Sequence, residues 1–102
     1  MHCTAIHGHR GARGLAPENT LGGFCIAIGI GVTALELDVN VSADHRIVIH
    51  HDPNLNPEVT RDCTGNWLQQ PGPYLFLTTL EKLRLFDVGR LRPGSEQSLK
   101  FP

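Results

Sequence analysis

The chain has 102 residues, 40% of them hydrophobic and 19% charged, and a formal net charge of −1 with histidine neutral. This length suits one domain, and the composition is that of a globular chain rather than a disordered one. The near-neutral charge gives no support for nucleic-acid binding. The longest apolar stretch, residues 24–37, is interrupted by polar and glycine positions, so we predict no transmembrane segment.

The N-terminus and the cysteines indicate the compartment. Residues 1–10 lack the basic segment and long apolar core of a signal peptide. Cys3, Cys25 and Cys63 are odd in number, widely spaced, and lack the short paired spacing of a zinc site. We therefore expect reduced thiols in a cytoplasmic protein.

The first third of the chain predicts a strand, a loop and a helix. Residues 3–7 suit a short strand, and residues 8–18 form a loop punctuated by glycine and proline. A helix is predicted from Thr20, with Asn19 or Thr20 as its N-cap and Gly31 as its C-terminal stop. Its expected buried face has helical spacing and consists of Leu21, Phe24, Cys25 and Ile28.

The next segment predicts a hairpin. Residues 34–41 alternate apolar and polar side chains as one strand, and residues 46–51 form a second strand. A two-residue turn at Asp44 and His45 would place Asp38 directly opposite His51. Glu36 and Asp38 would then share one face with His51, while His50 would point the other way; this follows because directly opposed residues face the same side.

The last half contains one long loop and one helix. Residues 52–77 predict an irregular loop, which is often functional. A helix is predicted from Thr78 to Gly89, with Thr78 and Glu81 as a capping box. Its expected buried face consists of Leu80, Leu83 and Phe86, and residues 90–102 show no sustained periodicity. The alternation of elements predicts a parallel sheet with helices outside, long enough for the first quarter to third of a (β/α)8 barrel.

Four short motifs occur in a fixed order along the chain. They are GHRG at 8–11, PENT at 17–20, ELD at 36–38 and HHD at 50–52. In this order and spacing they resemble the N-terminal part of the glycerophosphodiester phosphodiesterase family, over about residues 6–89. The resemblance implies an α/β fold, the N-terminal part of a (β/α)8 TIM barrel, with residues 1–102 as a partial, truncated domain.

The resemblance also implies a set of roles. His9 and His51 would be the catalytic acid/base pair, and Arg10 would contact the substrate phosphate. Glu36 and Asp38 would bind a divalent cation, Ca²⁺ or Mg²⁺, and Glu18 would line the same pocket. The substrate would be a small glycerophosphodiester of lipid and glycerol metabolism, hydrolysed to an alcohol and glycerol 3-phosphate.

These residue types suit the reaction. Arginine can donate a planar pair of hydrogen bonds to phosphate oxygens. A hard cation held by two carboxylates would neutralise the charge that develops on the phosphoryl group. With a reference pKa of about 6.5, one imidazole can take a proton while the other donates one to the departing oxygen.

The sequence departs from the family in two respects. No residue corresponds to a further acidic metal ligand from a later strand, and residues 56–62 differ from the segment that usually follows the HD motif. A second hypothesis is therefore that the chain is a catalytically inactive fragment that keeps phosphate- and metal-binding groups. A third, a phospholipase-D-like lipid enzyme on a similar barrel, is disfavoured by the complete PENT segment.

Overall fold

The computed structural model describes residues 4–100, and Cys3 of the predicted first strand lies outside this range. Over this range the chain forms four short strands, three α-helices and one 3₁₀ helix. In chain order these are β1 (His7–Gly8), α1 (Leu21–Ile30), β2 (Ala34–Leu35), β3 (Val39–Val41), β4 (Ile47–Ile49), the 3₁₀ helix (Leu75–Leu77), α2 (Leu80–Leu83) and α3 (Glu96–Lys100).

The strands form two small sheets. β1 pairs in parallel with β2, and β3 pairs antiparallel with β4. The single strand predicted over 34–41 is thus divided, because the chain changes partner between its two halves. The backbone N–H of Glu36 still donates to Gly8 O in β1 at 2.9 Å, whereas Asp38 O accepts from His50 N at 3.0 Å. Glu36 and Asp38 therefore lie in the segment where the chain passes from the first sheet to the second.

The predicted hairpin is present, but its register was wrong by one residue. Ser42 N donates to Arg46 O at 2.8 Å, which leaves a three-residue loop in place of a two-residue turn. His45 has a φ of 62° and occupies the left-handed position that such loops require. Asp38 is consequently level with His50, and the hairpin does not place His51 opposite Asp38.

Helix α1 begins and ends where the sequence predicts. The Thr20 hydroxyl accepts from Gly23 N at 3.1 Å, and Gly31 closes the helix with a φ of 95°. The predicted buried face was wrong, however, because the buried residues are Gly23 and Ala27. Leu21 is 83% exposed and Ile28 63% exposed, and Cys25 is exposed as well.

Close backbone approach explains which face of α1 is buried. A Cβ on Gly23 would lie 3.1 Å from the carbonyl oxygen of Pro17. A Cβ on Gly11 would likewise lie 2.9 Å from the ring of Phe24. The loop at 8–18 thus packs its backbone on Gly23 and on the half-buried ring of Phe24, whereas Leu21, Ile28 and Ile30 are exposed.

The core is built largely from the segment predicted as an irregular loop. Residues 52–77 have only isolated bridges and the 3₁₀ helix, as expected, yet Leu55 and Leu75 from this segment are buried together with Leu83. Residues packed against this cluster are Val48, Leu68, Phe86 and Val88. The segment is irregular in its hydrogen bonding but well packed.

The C-terminal helices differ from the prediction. Helix α2 is only four residues long, and its N-cap is Thr79, whose hydroxyl accepts from Lys82 N at 3.4 Å. Thr78, the predicted cap, instead donates to Tyr74 O at 2.8 Å, and the helix ends well before Gly89. Helix α3 was not predicted. Within residues 4–100 no helix is long and apolar enough to cross a membrane.

Candidate active site

The loop that follows β1 has a tight, defined backbone. Arg10 has a φ of 50° and Gly11 a φ of 85°, both in the left-handed region. Gly8 lies so close to the returning chain that a Cβ there would be 2.4 Å from Gly11 O. The glycines of the GHRG motif therefore permit a turn that places His9 and Arg10 directly at the end of the strand.

Glu36 lies against this turn. Its Oε2 accepts from the backbone N–H of Arg10 at 2.8 Å and lies 3.8 Å from His9 Nε2. The Gly11 N–H also donates to the Glu36 carbonyl at 3.2 Å. The first predicted metal ligand and the first predicted acid/base histidine are thus neighbours, as the motifs predicted.

Asp38 is held by a residue that the sequence analysis did not place in the site. Asn19 Nδ2 donates to Asp38 Oδ2 at 3.1 Å, and Asn19 N donates to Arg10 O at 2.8 Å. Asn19 has a φ of 52°, a conformation that asparagine tolerates better than most residues. It belongs to the PENT segment, so the motif carried the signal that could have identified it.

Glu18 is the buried centre of the arginine cluster. Arg10 NH1 lies 3.1 Å from both of its oxygens, and Arg13 Nε lies 3.3 Å from Oε1. Glu18 is only 7% exposed, and its charge is balanced by these two guanidinium groups. Arg10 Nε lies 3.7 Å from Asp38 Oδ2 and, within the described residues, has no hydrogen-bond partner.

The site favours a cation. Two arginines face three carboxylates, which leaves a formal charge of −1 when His9 is neutral. In the described part of the chain, Glu36 and Asp38 each have one oxygen, Oε1 and Oδ1, without a protein hydrogen bond. Carboxylate oxygens are the ligands of hard divalent cations, so the donor set fits Ca²⁺ or Mg²⁺ chemically. Among residues 4–100 no group of three or more metal-binding side chains converges, so Glu36 and Asp38 are the two carboxylates that this part of the chain offers to a cation at the site.

His51 is not joined to this cluster. Its Nδ1 lies 2.6 Å from Asp52 Oδ1, and among the described residues His51 makes no hydrogen bond or ion pair with Glu36 or Asp38. A cavity of about 290 Å³ is lined by His9 and Arg13 but not by His51 or the carboxylates. The structure therefore brings five of the six predicted residues together: His9, Arg10, Glu18, Glu36 and Asp38.

His50 occupies the buried position in the HHD motif. It is 5% exposed, and its Nε2 accepts from Asn56 N at 3.2 Å. Burial lowers the pKa of His50, and the nearby carboxylates of Asp52 and Glu18 only partly oppose this effect. His50 is thus a buried imidazole whose Nε2 accepts a backbone hydrogen bond, whereas the next residue, His51, is exposed.

The constellation of HRG turn, PENT segment, paired carboxylates and HHD segment identifies the class of protein. The chain belongs to the glycerophosphoryl diester phosphodiesterase family, whose family model matches residues 9–102. It is also 37% identical to YhdW of Bacillus subtilis over 97 residues. The matched region makes up 95% of this chain and 36% of YhdW.

Solved structures agree with this assignment. A glycerophosphoryl diester phosphodiesterase structure from Silicibacter pomeroyi DSS-3 superimposes on this chain with a TM-score of 0.88 at 40% identity. The superposition covers 99% of this chain and 35% of the Silicibacter chain. An Oleispira antarctica phosphodiesterase, solved in complex with the product sn-glycerol-3-phosphate, has a TM-score of 0.67 at 34% identity, covering 84% of this chain and 31% of its own. The α/β fold is therefore the N-terminal portion of a (β/α)8 barrel, and the chain spans about a third of the length of these relatives.

Proposed function

We propose that residues 1–102 form a partial glycerophosphodiester phosphodiesterase domain. Its site would serve the metal-assisted hydrolysis of a glycerophosphodiester to an alcohol and glycerol 3-phosphate. Family membership and the Oleispira relative's complex with sn-glycerol-3-phosphate support a small phosphate ester as the ligand. Free Cys25 and Cys63 support a cytoplasmic location.

The observation that carries this proposal is the position of Arg10. One of its terminal nitrogens, NH1, donates hydrogen bonds to Glu18, whereas its buried Nε–H has no hydrogen-bond partner within the described residues. Buried N–H groups are normally paired, so an oxygen from a bound molecule or water is expected there. Arg10 is thus poised for phosphate, with His9 at the same turn and Glu36 lying against it.

The proposed chemistry divides among the remaining residues. His9 and His51 would exchange protons with the attacking and departing oxygens, while Arg10 orients the phosphate. Glu36 and Asp38 would hold Ca²⁺ or Mg²⁺, with water or phosphate oxygens completing its coordination. The bound cation would supply charge neutralisation at the phosphoryl group. Glu18 would keep Arg10 in place rather than contact the substrate.

Binding of the product tests this proposal. Calorimetric titration with glycerol 3-phosphate and Mg²⁺ should show binding that Arg10→Lys weakens at least about tenfold, because lysine cannot reproduce the planar paired donors. Arg46→Lys, an exposed arginine in the hairpin, is the matched control and should bind like the parent chain. Equal binding by the two variants, or no binding by the parent chain, would overturn the proposal.

A second candidate function is binding without turnover. Two observations among residues 4–100 favour it: no three-ligand metal cluster occurs there, and His51 makes no hydrogen bond or ion pair with Glu36 or Asp38. We expect no metal-dependent release of glycerol 3-phosphate from glycerophosphocholine by this chain alone. Release that EDTA and His9→Ala both abolish would contradict the second candidate and establish catalysis.

A further inference from the structure

The side chains of His51 and Asp52 form a close pair. His51 Nδ1 lies 2.6 Å from Asp52 Oδ1, and the two side chains are 43% and 35% exposed. A carboxylate at this distance accepts a hydrogen bond from a protonated ring nitrogen, so it fixes a proton on Nδ1. The other ring nitrogen, Nε2, is then left with its lone pair.

The backbone that carries this pair is anchored to β3. Asn40 Nδ2 donates to the carbonyl oxygens of both His50 and Asp52, at 2.7 and 3.1 Å. The ring of His50 accepts from Asn56 N at 3.2 Å and fixes the chain on the other side. His51 therefore projects from a segment held at both ends, and its pairing with Asp52 is not that of two free surface side chains.

We propose that Asp52 is a positioning residue that selects the tautomer of His51 for proton transfer through Nε2. This inference rests on the proposed function, because it presumes that His51 exchanges a proton with the substrate. When a hydroxyl attacks, its O–H bond would break and the proton would move to Nε2 of His51, while His9 would donate a proton to the departing oxygen. His51 would thus act through one nitrogen, and Asp52 remains ionised throughout.

The tautomer can be measured without substrate. Long-range ¹H–¹⁵N NMR spectra of the whole chain at a pH where imidazole is neutral distinguish a protonated from a bare ring nitrogen. We expect His51 to carry its proton on Nδ1. Asp52→Ala should shift the population to the Nε2–H form, since the carboxylate acceptor is then gone. Glu58→Gln, an exposed carboxylate six residues away, is the matched control and should leave the tautomer unchanged.

Two results would overturn the inference. One is a dominant Nε2–H tautomer in the parent chain, a measurement that needs no variant to fold. The other is an Nδ1–H tautomer that persists in Asp52→Ala. Failure of the proposed function is a separate result, because loss of glycerol 3-phosphate binding alongside the expected tautomers would contradict only the phosphodiesterase assignment.

Discussion

Single residues determine the site through backbone conformation as much as through side-chain chemistry. Gly8 and Gly11 allow the chain to fold back on itself, and the left-handed Arg10 and Asn19 then direct their side chains toward the carboxylates. The family resemblance predicted His9, Arg10, Glu36 and Asp38 as site residues, and the structure places them next to one another. The resemblance did not identify Asn19, since the role of that residue depends on a bend that motif spacing does not describe.

Gly8 provides a direct test of this backbone geometry. Gly8→Ala places a Cβ 2.4 Å from the Gly11 carbonyl, so the turn must shift. We expect a loss of about 1–3 kcal/mol in the free energy of unfolding, measured in urea.

Gly29→Ala is its matched control, because nothing lies within 4 Å of a Cβ at that helical position. This variant should gain up to about 1 kcal/mol through helix propensity. Equal effects at the two glycines would contradict the close approach at Gly8.

His50 makes stability depend on pH. Burial lowers its pKa in the folded chain, so as pH falls below about 6.5 the unfolded chain binds a proton that the folded chain does not. The free energy of unfolding should therefore decrease as pH falls, by at most about 1.4 kcal/mol per pH unit. The lowered carboxyl pKa values of Asp44 and Asp62 act separately, mainly below pH 4.

Urea titrations between pH 8 and 5 measure this slope. His50→Gln should flatten it, whereas His45→Asn, at an exposed turn position that tolerates a positive φ, should retain it. A slope that survives His50→Gln would assign the effect to another group.

At the scale of elements, the sequence predicted that a hairpin and a capped helix exist but not how they pack. The hairpin register depends on a left-handed His45 in a three-residue loop, and histidine is only a weak signal for that conformation. The buried face of α1 was predicted wrongly because the prediction followed the helical spacing of large apolar residues. In the structure the loop backbone packs on Gly23 instead. Both errors arose where backbone approach, not hydrophobicity, decides the arrangement.

Helix α3 connects to the site through one amide. Gln97 is 3% exposed, and its Nε2 donates to the carbonyls of Arg13 and Ala16, the latter at 3.0 Å. Gln97→Leu removes both donors and leaves two carbonyls unpaired, which typically costs about 1–3 kcal/mol. Amide hydrogen exchange in residues 11–18 should therefore accelerate about tenfold or more, while residues 39–49 remain protected as before.

Gln70→Leu, an exposed glutamine in the 52–77 segment, should leave both rates unchanged. Exchange in residues 11–18 that is insensitive to Gln97→Leu would show that α3 does not support the site loop.

At the scale of the whole molecule, the described chain leaves large apolar side chains on its surface. These lie on α1 and on both strands of the hairpin, and include Leu21, Ile28, Ile30, Val39 and Ile47. Alternating and helical apolar patterns predict burial, and here they lie on surfaces that no described element covers. This chain superimposes on only 35% of the Silicibacter pomeroyi chain. The exposed apolar faces of α1 and the hairpin therefore fit a fold that is completed by the rest of a barrel.

We propose that His9, Arg10, Glu36 and Asp38 form one site for a phosphate ester and a divalent cation. The most direct measurement is an NMR titration of the whole chain with glycerol 3-phosphate in the presence of Mg²⁺, following every backbone amide. We expect saturable shifts at Gly8, Arg10, Gly11 and Asn19, with the hairpin turn at residues 42–46 unaffected. Absence of saturable shifts, or shifts confined to residues outside the turn after β1, would contradict it.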